Sequence, residues 1–376
     1  DVIVPPTSWQ EGWNWRICRR IKESVNVPVM LAGRFTDPFI IEQSIERGDT
    51  DFVCLGRQSI ADPAFPNKMA GGNIDEIVPC VGCTQRCMSF NDHDSLQEGD
   101  WGVSCIFNPM SNNRKDVQYE PTDTPKKVMV IGAGVAGMEA AWIAADRGHD
   151  VTLYEKNDEN KVGGQFLIAA YPPFKQELIR PIKYYKHMCE IKGVKMVYNK
   201  EVTTDFIKAE KPDVLVVATG AVPFKLDIPG KDGDNVYMAN DVLVGKQILA
   251  NSALVIGGGM VGVETAEFCK DYCERVAVVE MQDELAFDLY MTVRDDLKKR
   301  FKEKGIEVYK NTRVKRIGGN CVYADKDGQD IILDGFDNII FAVGSKEVNQ
   351  FENVESLADE VYVIGDAKKA RSALEA

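Results

Sequence analysis

A glycine-rich turn pattern, G-x-G-x-x-G, occurs twice in this chain of 376 residues and restricts its fold more than any other feature. The glycines of the two copies are Gly132, Gly134 and Gly137, and Gly257, Gly259 and Gly262. Each copy follows an apolar run typical of a buried strand and precedes a stretch with helical spacing. One copy alone is weak evidence, but two copies in the same strand-turn-helix-strand context indicate two Rossmann-like dinucleotide-binding folds.

An acidic residue closes each copy at the same distance. Glu155 lies 23 residues after Gly132, and Glu280 lies 23 residues after Gly257. In such a fold the glycines let the backbone approach a pyrophosphate at a helix N-terminus, and the acid accepts hydrogen bonds from a ribose. An acid at the second site would repel the 2′-phosphate of NADPH, so the pattern predicts NADH there. For Glu280, a solvated carboxylate at the end of a strand is the alternative interpretation.

Four cysteines are concentrated in one segment with little periodic structure. Cys80, Cys83 and Cys87 form a C-x2-C-x3-C triplet, and Cys105 follows after 17 residues. A compact triplet with one distant fourth thiol is typical of a [4Fe-4S] cluster, whereas zinc sites usually pair two C-x2-C units. Zinc is the competing interpretation, and His93 is a weaker candidate ligand. The other six cysteines are scattered, and we expect them to be small buried hydrophobic residues; they are Cys18, Cys54, Cys189, Cys269, Cys273 and Cys321.

Two strand-helix units precede the cysteines. We expect helices over 13–23 and 37–47 and buried strands over 27–32 and 51–55, which predicts a parallel sheet. Each predicted strand ends in a Gly-Arg pair, Gly33-Arg34 and Gly56-Arg57. A glycine at the end of a strand lets backbone N–H groups approach a phosphate, and the arginine supplies positive charge. Two ordinary turns at strand ends are the alternative.

Composition excludes several classes of partner. The net charge is −13 and the sequence pI is about 4.9, so no basic face is expected to neutralise nucleic acid or an anionic membrane. No run approaches the roughly 20 apolar residues of a spanning helix, and residues 1–15 do not read as a signal peptide. We therefore expect a cytoplasmic protein with two or three cores. A homo-oligomer is allowed, but the sequence does not determine the oligomeric state.

The motif order GAGVAG, VGGQ, VVATGA, VIGGGMVG and VYVIGDA resembles the flavoprotein reductases with two dinucleotide-binding domains. In that family the first fold binds FAD and the second binds the nicotinamide nucleotide. The resemblance implies FAD contacts at Gly132, Gly134, Gly137, Glu155, Gly164, Gln165, Thr219, Gly365 and Asp366. It implies NADH contacts at Gly257, Gly259, Gly262 and Glu280. A redox-active cysteine pair of the disulfide reductases is not expected, because Cys269 and Cys273 fall in a predicted helix after the second turn.

With the cysteine segment included, the chain resembles the 2,4-dienoyl-CoA reductase and 2-enoate reductase group of the Old Yellow Enzyme superfamily, whose layout trimethylamine dehydrogenase shares. The resemblance implies an α/β chain with the end of an FMN-binding (β/α)8 barrel, a [4Fe-4S] loop and two Rossmann-like domains. Gly33, Arg34, Gly56 and Arg57 would lie near FMN, and the four clustered cysteines would bind the iron. The expected divisions are 1–79 for the barrel end, 80–120 for the iron-sulfur loop and linker, 121–245 and 346–376 for the FAD domain, and 246–345 for the NADH domain.

This resemblance implies that electrons pass from NADH through FAD and the cluster to FMN, and then to the activated C=C bond of a small substrate such as a 2-enoate, a dienoyl-CoA or an enone. The sequence begins after what would be the sixth barrel strand, so the family's tyrosine proton donor is absent and no catalytic acid can be named. Two alternatives stay open. One is an amine dehydrogenase similar to the trimethylamine enzyme, and the other is an electron-transfer subunit that serves a partner protein.

Overall fold

The computed structural model describes residues 4–88, 102–111, 119–348 and 350–371. In its first part, short helices alternate with two very short strands. The elements are α1 (Trp15–Ser24), β1 (Met30–Leu31), α2 (Pro38–Glu46), β2 (Phe52–Val53), α3 (Arg57–Ala61) and α4 (Phe65–Gly71). The strands pair in parallel, with Met30 opposite Phe52, as the sequence predicted.

The two strands of this first part are shorter and less buried than the sequence predicted. Met30 is 61% exposed and Phe52 is 55% exposed, whereas Leu31 is buried. Successive side chains of a strand point to opposite faces. One face packs on the core formed by Cys18, Leu31, Phe35, Ile41, Phe65 and Ile77, and no described residues cover the other face. The expectation of two buried strands was therefore wrong for the outer face.

The segment with the clustered cysteines contains no helix and no strand within 80–88 and 102–111, apart from a single bridge between Cys105 and Asn108. Its side chains nevertheless belong to a core. Val81 and Phe107 are buried together with Val128 and Val130 of the following domain. Because these residues share one hydrophobic cluster, the cysteine segment is fixed against the first nucleotide-binding fold.

The first nucleotide-binding fold is a five-stranded parallel sheet with strand order β17-β6-β3-β4-β5. Its early elements are β3 (Lys127–Ile131), α5 (Val135–Asp146), β4 (Asp150–Tyr154), α6 (Gln165–Ile168), α7 (Ile179–Ile191), β5 (Lys195–Val197), α8 (Thr204–Glu210), β6 (Val214–Val217) and β7 (Ala221–Pro223). The central strands are buried on both faces, which explains their continuous apolar runs. Helix α5 begins directly at the glycine turn, with Gly134 as its N-cap residue.

The second fold repeats this plan, with the parallel order β11-β10-β9-β15-β8. Its elements are β8 (Val236–Met238), α9 (Ala239–Leu243), β9 (Ser252–Ile256), α10 (Met260–Cys269), β10 (Arg275–Val279), α11 (Met291–Lys304), β11 (Glu307–Tyr309), β12 (Thr312–Gly318), β13 (Cys321–Lys326), β14 (Gln329–Leu333) and β15 (Asn338–Phe341). Strands β12, β13 and β14 form an antiparallel sheet whose apolar side packs on this parallel sheet.

The chain returns to the first fold after β15. Strand β16 (Ser345–Glu347) pairs antiparallel with β7, and β17 (Glu360–Val363) joins the first sheet beside β6. Strand β8 pairs with β15, so it belongs to the second sheet. The boundary that the sequence analysis placed at 245/246 was therefore too late, because the second fold already includes Val236. Among the described helices, none combines the length and the apolar character needed to cross a membrane.

Candidate functional site

The first glycine turn is closed by contacts that only glycine permits. Gly132 has a φ of +106°, and a Cβ atom there would lie 2.4 Å from the carbonyl oxygen of Ala218. A Cβ atom on Gly137 would lie 2.0 Å from the carbonyl oxygen of Gly132. At Gly134, by contrast, an added Cβ atom would meet nothing within 4 Å. The first and third glycines are thus needed by the fold itself, and the second leaves the open space that a pyrophosphate needs.

Glu155 stands at the end of β4 beside this turn. It is 8% exposed, and its carboxylate accepts hydrogen bonds from the N–H groups of Ala133 (2.8 Å) and Asn157 (2.9 Å). The side chain therefore ties the glycine turn to the end of β4. A carboxylate oxygen can accept more than one hydrogen bond, so a ribose hydroxyl can still approach it.

The other residues expected near FAD gather at the carboxyl edge of the first sheet. Gly163, next to Gly164, donates its N–H to the carbonyl of Ala133 (2.8 Å), and Ile364, next to Gly365, donates to Val217 (3.0 Å). Three of the expected side chains form hydrogen bonds within the protein. Gln165 donates to the Ala221 carbonyl (2.5 Å), and Thr219 donates to the Val348 carbonyl (2.5 Å). Asp366 accepts the N–H of Arg371 (3.0 Å). These residues line one edge, as a dinucleotide requires.

The second glycine turn has nearly the same geometry. Gly257 has a φ of +108° and approaches the Ala342 carbonyl, while a Cβ atom on Gly262 would lie 1.8 Å from the Gly257 carbonyl oxygen. Glu280 is 7% exposed and accepts hydrogen bonds from the N–H groups of Gly258 (2.6 Å) and Gln282 (2.8 Å). The alternative in which Glu280 is a solvated carboxylate is therefore wrong.

Sequence reasoning missed one residue at this second turn. The carboxylate of Asp288 accepts the N–H of Met260, the first residue of α10, at 3.1 and 3.0 Å. Asp288 lies 29 residues after Gly259 and belongs to no motif. Its proximity could not be read from spacing, because it depends on the path of the irregular segment between β10 and α11.

The four clustered cysteines line one small cavity. The cavity also includes Arg57, Ser104 and Phe107. Burial raises the pKa of the Cys83 thiol to about 12 and that of Cys87 to about 11, and it also raises the pKa of Cys80 and Cys105. The positive charge of Arg57 opposes this rise at Cys80 and Cys87. Buried thiols of this kind lose their protons only when a cation or a metal centre compensates the charge.

These thiols do not converge on a single point. In the described ranges, no group of three or more histidine, cysteine, aspartate or glutamate side chains is arranged to hold a metal ion. A tetrahedral zinc site would bring its sulfur atoms to roughly 3.8 Å from one another, given Zn–S bonds of about 2.3 Å. The donor set is four thiols around a shared cavity. His93, the weaker candidate ligand, lies outside the described residues.

The two Gly-Arg pairs place their guanidinium groups beside the cysteines. The side chain of Arg34 is 2% exposed and forms a two-fold ion pair with Glu177 (2.6 and 2.9 Å). Arg57 donates to the Pro5 carbonyl (2.7 Å). One buried donor of each guanidinium, Nε of Arg34 and Nη1 of Arg57, has no partner among the described residues. Gly56 is open, but a Cβ atom on Gly33 would lie 2.6 Å from the Asn14 side chain. Unpaired buried donors suit an anionic group, as a flavin phosphate would be.

The scattered cysteines divide into two groups. Cys18, Cys189, Cys269 and Cys273 are buried, as the sequence predicted. Cys273 donates its thiol to the Ala250 carbonyl (3.1 Å), and Cys269 and Cys273 both lie in the hydrophobic core of the second fold. Cys54 is exposed and Cys321 is partly exposed, so the expectation of burial was wrong for these two. Cys54 follows the short strand β2, where the outer face is uncovered.

The comparison with known proteins matches this geometry. The family model described as "Pyridine nucleotide-disulphide oxidoreductase" matches residues 126–374. The chain belongs to this family. Its members share the Rossmann-like α/β fold found here in both parallel sheets.

Relatives extend the similarity beyond the matched region to nearly the whole chain. A cinnamate reductase from Clostridium sporogenes is 32% identical over 98% of this chain and 54% of its own length. A metal reductase from Desulforamulus reducens is 31% identical over 95% of this chain and 57% of its own length. A solved complex of 2-naphthoyl-CoA reductase with 2-naphthoyl-CoA is 31% identical, with a TM-score of 0.91 over all of this chain and 56% of that one. The chain thus spans about half the length of these relatives.

Proposed function

We propose that the full-length protein is an NADH-dependent flavin and iron-sulfur reductase of an activated C=C bond. The observation that carries the proposal is the cavity of four thiols packed directly against the first of two nucleotide-binding folds. The proposal draws further support from the similarity to a cinnamate reductase and to 2-naphthoyl-CoA reductase, both of which are named for reducing unsaturated compounds. The substrate would be a small unsaturated acid, thioester or enone.

Each nucleotide site has residues suited to its ligand. At the first turn, Gly134 leaves room for the FAD pyrophosphate. Glu155 would lie beside the adenosine ribose and accept its hydrogen bonds. At the second turn, Glu280 would accept hydrogen bonds from the ribose of NADH and would repel the additional phosphate of NADPH. FAD held at the first turn would supply a hydride acceptor for the nicotinamide, and a cluster held by the four thiols would supply single-electron transfer.

The cysteine segment would hold the cluster close to the flavin. Phe107 lines the thiol cavity, and its ring lies 5.9 Å from that of Phe166, in an edge-to-face arrangement. Phe166 follows Gln165, which is expected beside FAD. The two rings therefore connect the lining of the thiol cavity to the segment expected beside FAD. The unpaired donors of Arg34 and Arg57 would bind the phosphate of FMN.

Cofactor analysis and anaerobic reduction of the full-length protein test this proposal. We expect FAD, FMN and about four iron atoms per chain with acid-labile sulfide. Cys83→Ser should lose most of the iron and abolish NADH-dependent reduction of cinnamate, yet bound FAD should still be reduced by NADH. Cys54→Ser is the matched control, because Cys54 is exposed and does not line the cavity.

Two results would contradict the proposal. Stoichiometric zinc with no labile sulfide would remove the electron carrier between the flavins, and failure of NADH to reduce bound flavin would favour the amine-dehydrogenase alternative. A second acceptor is supported by the metal-reductase relative, so soluble ferric complexes should be assayed beside cinnamate. Faster reduction of the ferric complex than of cinnamate would mean that the same electron route ends at a different acceptor.

A further inference from the structure

The two glycine turns differ at the start of the helix that follows each of them. The N–H of Met260, the first residue of α10, donates to both carboxylate oxygens of Asp288 (3.1 and 3.0 Å). An added Cβ atom on Gly259 would lie 3.6 Å from the Asp288 carboxylate, whereas on Gly134 it would meet nothing within 4 Å. A carboxylate therefore occupies at the second turn the space that is open at the first.

The segment that carries Asp288 is anchored to the glycine turn by its other residues. Ala286 is fully buried in the left-handed region (φ +52°), and its N–H donates to the Gly258 carbonyl (2.7 Å). Leu285 packs so closely on Gly258 that a Cβ atom there would lie 2.4 Å from its side chain. Asp288 itself is exposed. Its side chain can therefore rotate into solvent while Leu285 and Ala286 keep the segment in place.

The position of this carboxylate matters for electrostatic reasons. The N–H groups of a helix's first turn and the helix dipole attract anions, and in Rossmann-like folds the ligand's pyrophosphate binds there. A carboxylate and a pyrophosphate cannot both accept the same N–H, and their like charges repel each other. Any dinucleotide that binds the second turn through its phosphates must displace Asp288.

We infer that Asp288 is a built-in competitor for the dinucleotide phosphates and lowers the affinity of the second nucleotide-binding fold for NADH. The inference rests on the proposed nicotinamide site and adds a residue that sets its affinity. Losing a carboxylate from a helix N-terminus costs about 1 kcal/mol, which corresponds to a factor of about five in a dissociation constant. The carboxylate thus keeps NADH binding weaker than the open turn would allow.

The test is direct titration of the full-length holoenzyme with NADH and with ADP-ribose, using calorimetry under anaerobic conditions. Asp288→Ala removes both the charge and the acceptor, so the dissociation constant for both probes should fall by a factor of about five. Asp288→Asn keeps an acceptor for the Met260 N–H but removes the charge, so it should give a smaller decrease. Adenosine, which has no phosphate, should bind all variants equally.

Asp283→Asn is the matched control, because Asp283 is an exposed acid in the same segment. It should leave every dissociation constant unchanged. Two outcomes would overturn the inference and leave the proposed function intact. One is equal NADH affinity in the wild type and both Asp288 variants, and the other is weaker NADH binding in Asp288→Ala. If no variant binds NADH or ADP-ribose, the nicotinamide site and the competitor are both rejected.

Discussion

Glu139, a half-buried acid in the first nucleotide-binding fold, has a markedly altered protonation equilibrium. It lies on α5 and faces α7, and its carboxylate accepts the indole N–H of Trp142 (3.0 Å). Burial raises the pKa of Glu139 to about 7, although hydrogen bonds from Trp142 and Tyr185 act in the opposite direction. Near neutral pH the folded protein therefore holds Glu139 either as the neutral acid or as a carboxylate whose burial costs free energy.

This predicts a specific pH dependence of stability. Between about pH 4.5 and 7 the folded state binds a proton at Glu139 that the unfolded state has released, so the free energy of unfolding falls as pH rises through this window. Relative to Glu139→Gln, the wild type should lose roughly 1 to 3 kcal/mol of stability between pH 5 and pH 8. Urea unfolding at both pH values measures the difference.

Glu201→Gln serves as the control, because it removes a carboxylate whose side chain is exposed. A constant stability difference between the wild type and Glu139→Gln across this range would show that the carboxyl is solvated instead. The sign of the effect separates burial from ion pairing, since an ion-paired carboxylate would gain stability as pH rises.

At the scale of elements, each nucleotide-binding fold depends on one turn between a strand and a helix. In the first turn, Gly137 allows α5 to pack against the backbone of Gly132, and Gly134 marks the open position at the start of the helix. The two glycines belong to the same motif but have different physical tasks. One permits a close approach within the protein, and the other would permit a close approach of the ligand.

Alanine substitutions should separate these two tasks. Gly137→Ala places a Cβ atom 2.0 Å from a carbonyl oxygen, so it should destabilise the fold by about 1 to 3 kcal/mol. Gly134→Ala meets no protein atom within 4 Å and has a φ of −72°, so the melting temperature of the flavin-free protein should be unchanged. Its FAD content should nevertheless fall at least tenfold, because the methyl group occupies the space for the pyrophosphate.

Flavin absorbance after gel filtration and thermal unfolding of the flavin-free protein measure these two effects. Full FAD occupancy in Gly134→Ala would show that the phosphates bind elsewhere. An undiminished melting temperature in Gly137→Ala would mean that α5 can move away from its strand at little cost.

At the scale of the whole molecule, buried ion pairs connect the parts of the chain. Arg34 in the first part pairs with Glu177, which precedes α7 of the first nucleotide-binding fold. Lys175, two residues earlier, pairs with Glu264 on α10 of the second fold (2.7 Å). The segment around 175–177 therefore contacts all three parts of the chain. The side chain of Asp296 on α11 adds a further link by accepting hydrogen bonds from residues 8 and 9.

Breaking one of these pairs should loosen the assembly. Glu177→Gln leaves the Arg34 guanidinium buried without a carboxylate, and loss of one partner from a buried pair costs about 3 to 5 kcal/mol. We expect an earlier unfolding transition for residues 4–88 and faster proteolysis within them. Glu190→Gln on α7 is the control, because Glu190 is exposed and its contact with Lys186 is 3.8 Å long. Identical proteolysis in both variants would contradict this role for the pair.

The extent to which sequence predicted structure differed between the parts of the chain. Both sheets, both glycine turns and the positions of Glu155 and Glu280 were predicted, because strand periodicity and turn chemistry are local properties. The burial of Cys54 and the boundary at 245/246 were predicted wrongly, since both depend on which distant strands pair and cover one another. The divisions of the remaining domains and the roles of the site residues stay predictions.

The amino-acid sequence by itself determined the two dinucleotide-binding folds and the spacing of four cysteines, because glycine and cysteine carry their conformational and chemical constraints within a few residues. Only the tertiary structure showed that the thiols share a cavity against the first fold, that Arg34 is bound by Glu177, and that Asp288 reaches the start of α10. Those contacts join residues distant in the chain, so their existence depends on how the whole chain packs, and no local pattern encodes it.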